Sequence, residues 1–179
     1  MPSELTFPEV VDTERLLLRR YGAADAPSIL DLVDANRELL MQDFSQMAKG
    51  LSAEKEARDF VKERAEQWDS GKLFCYGIRL KPEAQLIGQL QVKNILWDVP
   101  SAELSYFIGA LWQRRGFASE AVAAIVRTAF QQFEFQRLFV RVLPSNQESL
   151  ALARKLGFQH EGLQRNAYRC GHGKLHDVH

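Results

Sequence analysis

The stretch whose residue types and spacing could most directly do chemistry is 111–121, LWQRRGFASEA. After Gly116 the apolar residues Ala118, Ala121, Val122, Ile125, Val126, Ala129, Phe130 and Phe133 follow the i, i+3, i+4, i+7 spacing of a buried helical stripe. A helix therefore starts near Gly116. Its first N–H groups have no partner inside the helix, and the macrodipole adds partial positive charge there, so the loop ahead of it suits an anion. Phosphate is the natural ligand. Gly116 lets the backbone approach with no Cβ in the way, Ala118 keeps the floor shallow, and Arg114 and Arg115 bring charge. A plain turn is the commoner meaning of one such glycine, so this loop needs a second signal. There is neither a GxxxxGK[ST] loop nor a GxGxxG after a strand, which excludes two familiar nucleotide motifs.

The second signal lies at 144–158, PSNQESLALARKLGF. Ser145 and Glu148 have capping-box spacing, Leu150, Ala153 and Leu156 share a face, and Gly157 ends a short helix. Taken alone this is ordinary capping. A third cluster, His172, His176 and His179 with Asp177, has a spacing that invites a metal. Its GHG and HDV segments read more simply as a hairpin turn and a return strand, so no metal is expected.

The elements that must position these residues alternate between strand and helix. RLLLRR (15–20) reads as a first strand, and APSILDLVDAN (26–36) places Ile29, Leu32 and Val33 on one helical face. Residues 52–71 read as an amphipathic helix capped by Ser52, with Glu54 and Glu56 in its first turn and Gly71 at its end. KLFCYGIRL (72–80) and QLIGQLQVKNILW (85–97) alternate as two strands around a turn at 81–84. AELSYFIG (102–109) and RLFVRVL (137–143) are further strands, and 157–179 gives a last strand, a Gly-rich turn and the start of its partner. Without repeats or linkers, the pattern predicts a single α/β domain over 1–179.

Composition narrows the function classes. A chain of 179 residues, 46% hydrophobic and 26% charged, supports one buried core. Its 23 basic and 23 acidic side chains cancel, so no whole-chain field favours nucleic acid or an anionic membrane. Cys75 and Cys170 are too few for a disulfide framework, no apolar signal core opens the chain, and no uncharged apolar run is long enough to span a membrane. The expectation is a soluble, cytoplasmic protein with neither nucleic acid nor membrane as partner.

The ordered set strand, QxxGxA, long helix, strand, NxxS, short helix, LGF resembles the GNAT superfamily of acetyl-CoA-dependent N-acetyltransferases. Here the signature reads Gln113-Arg114-Arg115-Gly116-Phe117-Ala118, extended by Ser119-Glu120-Ala121. The opening TERLLLRR and the ending GFQHEGLQRNAYR with HDV are similar to the branch of ribosomal-protein N-terminal acetyltransferases (RimJ/RimL-like). The resemblance runs from Thr13 to the end.

It implies a GNAT fold of the α/β (α+β) kind, a mixed central sheet with splayed parallel strands and flanking helices. It implies acetyl-CoA as cosubstrate and no metal. The pyrophosphate would rest on the N–H groups of Arg114, Arg115, Gly116, Phe117, Ala118 and Ser119. Pantetheine would lie between the splayed strands, paired with the main chain at Tyr106, Phe107 and Ile108. Asn146 and Ser149 would lie near its arm and the thioester sulfur. The family's usual tyrosine, four residues before the glycine of LGF, is replaced here by Ala153.

The reaction needs a neutral amine, a donor to the carbonyl oxygen and a proton for the leaving thiolate. Glu103, on one strand face with Phe107, is the candidate base, directly or through water. Ser149, Tyr168 or a water is the candidate acid. The acceptor pocket is expected from residues 36–44, the turn near Trp97 and the final hairpin, with Asp31, Asp34, Glu38 and Asp43 as acidic candidates for a cationic acceptor. A peptide or protein N-terminal α-amine is the favoured acceptor. An amino acid, a polyamine, an aminoglycoside, a silent CoA-binding regulatory module and a homodimer stay open.

Overall fold

The computed structural model describes residues 7–179. Strands β1 (Val10–Asp12), β2 (Leu16–Arg20), β3 (Phe74–Leu80), β4 (Gln85–Leu96), β5 (Ser101–Ile108) and β6 (Arg137–Phe139) lie side by side in that order as one six-stranded sheet. All neighbours are antiparallel except β5 and β6, which run parallel. A separate antiparallel hairpin joins β7 (Gln164–Arg169) to β8 (Leu175–Val178), so the Gly-rich segment between them is a turn, as the sequence predicts.

Period-two alternation sends apolar side chains to both sheet faces, and helices cover each. On β3, Phe74, Tyr76 and Ile78 join one apolar cluster while Cys75 joins the other. The first is closed by α5 (Phe117–Gln132), whose Ala121, Val122, Ile125 and Ala129 are wholly buried. Each large side chain sealed this way stabilises the fold by about 1.5–3 kcal/mol before entropy is counted. The second is closed by Ile29, Leu32 and Val33 of α1 (Ala26–Ala35), Leu40 of α2 (Arg37–Asp43), Met47 and Ala48 of α3 (Ser45–Gly50), and Ala57 and Val61 of α4 (Glu54–Asp69). Helix α6 (Gln147–Lys155) follows β6. Among the described residues, no helix is long and apolar enough to cross a membrane.

Five local differences separate the structure from the sequence reading. The strand at 15–20 is second rather than first, because the short VVD of β1 pairs outside it. Helix α4 starts from Ala53 with no side-chain cap, so Ser52 is not its cap, although Glu54 and Glu56 do occupy the first turn. The cap of α6 is Asn146 rather than Ser145: the Ser149 N–H donates to its Oδ1 at 3.0 Å. The strand expected over 137–143 ends at Phe139, because β6 leaves β5 there and Val142 instead exchanges backbone hydrogen bonds with His179 at 3.0 and 2.8 Å. Within α5, Phe130 is 45% exposed, and Phe117, outside the predicted stripe, is buried in its stead.

Candidate active site

Gly116 stands immediately before α5 with φ of 81°, in the left-handed region, and a Cβ there would lie 3.3 Å from Nη2 of Arg15. Arg114 also has positive φ, 61°. The turn brings the start of α5 against the end of β5, where Gln113 Nε2 donates to the Ile108 carbonyl at 3.0 Å. Helix geometry leaves the N–H groups of Phe117, Ala118 and Ser119 with no acceptor one turn back. These three residues line a cleft of about 360 Å³.

The loop is clamped by residues that do not line the cleft. Arg15 donates from Nη1 to the Arg115 carbonyl at 2.9 Å, covers the Phe117 ring at 4.7 Å, and donates from Nε to Oε2 of Glu120 at 2.7 Å. The other Glu120 oxygen accepts from Thr13 Oγ1 at 2.6 Å and from the Arg15 N–H at 2.8 Å. Burial pushes the Glu120 carboxyl up, but the Thr13 and Arg15 hydrogen bonds outweigh it and hold it below the usual carboxylate range. The TER of 13–15 is thus the counterpart of the Glu120 turn.

The cleft exists because β5 and β6 separate. They pair only at Ser101, Ala102 and Glu103 against Arg137, Leu138 and Phe139. Beyond Glu103, β5 runs on to Ile108 with no paired strand on that side among the described residues, and α6 forms the opposite wall. Leu40 and Phe44 add an apolar wall from the α2 end.

Two polar links tie α6 to the other walls of the cleft. Tyr106 Oη and Ser149 Oγ are 2.8 Å apart, and Asn146, while capping α6 through Oδ1, donates from Nδ2 to Asp43 Oδ2 at 2.9 Å. Burial pushes the Tyr106 phenol up, with Ser149 opposing, so it stays protonated at neutral pH. Burial also raises the Asp43 carboxyl, against the Asn146 hydrogen bond and the charge of His176.

Asp43, Tyr106, Asn146 and Ser149 also line a second, inner pocket of about 90 Å³. It is also lined by Lys93, Glu103, Arg141 and Tyr168. Glu103 is 3% exposed; it accepts from Asn94 Nδ2 at 2.6 Å and Arg141 Nε at 3.1 Å, with Lys93 Nζ at 3.4 Å. A register shift of β4 between Lys93 and Leu96, with Asn94 at φ of 51°, accompanies the Asn94 contact. Tyr168 Oη is buried with no hydrogen-bond partner among the described residues.

The structure thus brings nearly all the sequence-predicted residues together. Tyr106, Phe107, Ile108, Arg114, Gly116, Asn146 and Ser149 line the cleft with the three α5 residues, and Glu103 and Tyr168 line the inner pocket. Arg115 does not line either; its guanidinium lies over Trp112 at 5.3 Å. Arg114 Nε reaches Glu148 Oε1 at 2.6 Å, so Glu148 faces the loop instead of completing a capping box. Trp97 packs on Phe135 at 5.7 Å, away from both cavities. Asp34 pairs with Arg37 and Glu38 with His172, which leaves Asp43 as the pocket-lining member of the acidic set. His179 meets His160 at 2.9 Å, so the C-terminal histidines serve different neighbours, and no group of side chains fit to hold a metal occurs among the described residues. The sequence reading missed the Arg15 clamp and the phenol of Tyr106; Thr13 and Arg15 within the quoted TER were the available signal.

Comparison with known proteins agrees with this geometry. The Acetyltransferase (GNAT) domain family matches residues 15–159. Uncharacterized N-acetyltransferase p20 of Bacillus licheniformis is 28% identical over 96% of this chain and 93% of its own length. The [Ribosomal protein uS5]-alanine N-acetyltransferase of Escherichia coli is 27% identical over 84% of this chain and 78% of its own. Among solved structures, the RimL ribosomal L7/L12 alpha-N-protein acetyltransferase in complex with coenzyme A superposes with a TM-score of 0.88 at 23% identity, covering 95% of this chain and 94% of that one. With a family match over most of its length and the same fold, the chain belongs to the GNAT acetyltransferases.

Proposed function

We propose that this N-acetyltransferase uses acetyl-CoA to acetylate a primary amine, foremost the N-terminal α-amine of a peptide or protein. One observation carries the reading: the anion loop and the unpaired edge of β5 line one cleft, which shares Tyr106, Asn146 and Ser149 with a second pocket that holds Asp43 and Glu103. The cleft residues fit CoA, since the first N–H groups of α5 have no helical acceptor and the β5 edge past Glu103 is free for main-chain pairing among the described residues. When bound, CoA supplies an acetyl group activated as a thioester.

The remaining work falls to side chains and backbone of this chain. The N–H groups of Arg114 and of Gly116 to Ser119 hold the pyrophosphate, with the Arg114 charge beside them. Tyr106, Phe107 and Ile108 offer main chain to the pantetheine arm. Tyr106 Oη and Ser149 Oγ, hydrogen-bonded to each other, offer a proton to the sulfur. Tyr168 lines the second pocket but not the cleft, and on this reading faces the acceptor. Glu103, which lines the same pocket and is paired with both Lys93 and Arg141, relays the acceptor's proton onward through water.

The second pocket, of about 90 Å³, suits the amine end of an acceptor whose bulk stays outside, whether that end is an N-terminus or a side chain. The uS5-alanine relative, whose name states a protein acceptor, favours the N-terminus. We place the reaction in the cytoplasm, where Cys75 and Cys170, both buried free thiols, would stay reduced. The test is CoA release with short peptides bearing free or blocked N-termini beside lysine, spermidine and an aminoglycoside. Free-N-terminus peptides should be the best substrates; turnover confined to the small amines would move the acceptor to that class.

A further inference from the structure

We infer that Asp43 receives the acceptor: its carboxylate binds the ammonium form of the amine where the cleft meets the inner pocket, and takes the proton that must leave before nitrogen attacks. The inference rests on the amine-acetylating reading above, but not on the choice of an N-terminal amine.

Position is the first argument. Asp43 ends α2 and is one of the few residues lining both cavities, beside the Tyr106–Ser149 hydroxyl pair. Any amine that reaches the thioester side from the inner pocket passes it.

Charge is the second. Each other carboxylate lining these cavities already has a cation: Glu103 has Lys93 and Arg141, and Glu148 has Arg114. Asp43 has no ion pair among the described residues; its hydrogen bond comes from the neutral amide of Asn146 onto Oδ2. The groups around it are Lys93, Glu103 and Arg141 within the pocket and His176 on the hairpin. A half-buried carboxylate without a cation is the place where a bound ammonium recovers most of the lost solvation. Burial that raises its pKa also makes it the better proton acceptor.

The third argument is independent of Asp43. Tyr168 Oη lies in the same pocket, buried and without a hydrogen-bond partner among the described residues, and such groups in a folded protein call for a ligand or water. The geometry is also held firmly. Asn146 ties Asp43 to the cap of α6, and the Gly171 N–H donates to the Met41 carbonyl at 2.7 Å, fixing the end of α2 to the hairpin that carries Tyr168.

Protons and bonds balance. The ammonium gives one proton to Asp43; the N–C bond forms as the C–S bond breaks. The sulfur takes a proton from the Tyr106–Ser149 pair, and the second nitrogen proton restores that pair. Asp43 then returns its proton to solvent, one per turnover.

The experiment is Asp43→Asn with the best amine found in the panel above, read by steady-state kinetics across pH and by calorimetry of CoA and of the acceptor on the CoA-loaded protein. The expected result is a KM for the amine raised at least about tenfold below the amine's pKa, with the gap narrowing as pH rises and the amine becomes neutral, and CoA affinity within about twofold of wild type. Asp43→Glu should recover part of the loss. Unchanged KM, acceptor affinity and pH dependence would overturn the inference. Should Asp43→Asn fail to fold, Asn146→Ser keeps a capping oxygen and removes the Nδ2 donor. It should raise KM several-fold, and an unchanged KM would count against Asp43. Failure of free-N-terminus peptides alone sinks the N-terminal choice and leaves this inference to be decided with the amine that works. Failure of every amine overturns both.

Discussion

Arg15 and Glu120, 105 residues apart in the chain, meet at 2.7 Å behind the anion loop, and the same guanidinium bonds the Arg115 carbonyl. The start of β2 and the first turn of α5 are thereby locked to the loop that the sequence marked for a phosphate. Arg15→Ala should keep the fold but weaken CoA about tenfold, some 1.4 kcal/mol, because the loop's N–H groups lose their fixed aim. Arg15→Lys should rescue little, since one ammonium cannot supply the fork that serves two acceptors and a ring face. Calorimetry with CoA beside thermal melts separates the two effects.

Gly116→Val should abolish measurable CoA binding. A branched residue at φ of 81° is strained, and its Cβ would crowd Arg15 Nη2 at 3.3 Å. Arg114→Ala should cost less, several-fold in Kd, because the backbone donors remain and Glu148 already occupies that guanidinium. Equal losses in titrations of the two variants would place the pyrophosphate on the arginine rather than on the loop.

The hydroxyl pair predicts a split in kinetic constants. Tyr106→Phe and Ser149→Ala should each lower kcat by about 10²-fold at the least sensitive end of general-acid effects, with Ser149→Ala also raising KM for acetyl-CoA. Tyr168→Phe, on the acceptor side, should change KM for the amine more than kcat. Full turnover in Tyr106→Phe would return the proton-donor role to Ser149, Tyr168 or water.

Acid should loosen the clamp. The folded pKa of Glu120 is depressed, so its stabilising contribution is complete above the ordinary carboxylate value of about 4.3 and is lost as pH falls through the lower folded value. Glu120→Gln should therefore lower Tm at pH 7 by a few degrees and show a shallower loss of Tm on acidification below that value. Parallel Tm curves for the two proteins would rule out a coupling to Glu120.

The sequence made legible what periodicity and spacing encode. The stripe after Gly116, the alternation of β3 to β5 and the QxxGxA and NxxS order led to the sheet, the loop and the cap region, because helix and strand periods are local properties. What depends on distant partners stayed hidden. Nothing local says that Thr13 and Arg15 meet Glu120 or that Asn146 takes the cap from Ser145 and also holds Asp43; the splay of β6 from β5 was expected from the family resemblance, but not that it begins after Phe139. The acceptor side was the least legible, since Asp43 reads like Asp31 and Asp34 until the fold turns it into the pocket while Asp34 pairs with Arg37 outside.

The most direct test of the central claim is the pH dependence of kcat/KM with a short peptide bearing a free N-terminus, beside its N-terminally blocked, lysine-containing counterpart. A peptide α-amine with pKa of about 7.7–8.0 is neutral in roughly a tenth of molecules at pH 7, against well under about 0.1% for a lysine amine near 10.4. For acetylation of the N-terminus, kcat/KM for the free peptide should rise with pH and level off near about 8, the blocked peptide should be inert, and Glu103→Gln should lower the plateau about tenfold. Efficient turnover of the blocked peptide, rising well beyond that pH, with none for free α-amines, would contradict the N-terminal acetyltransferase account.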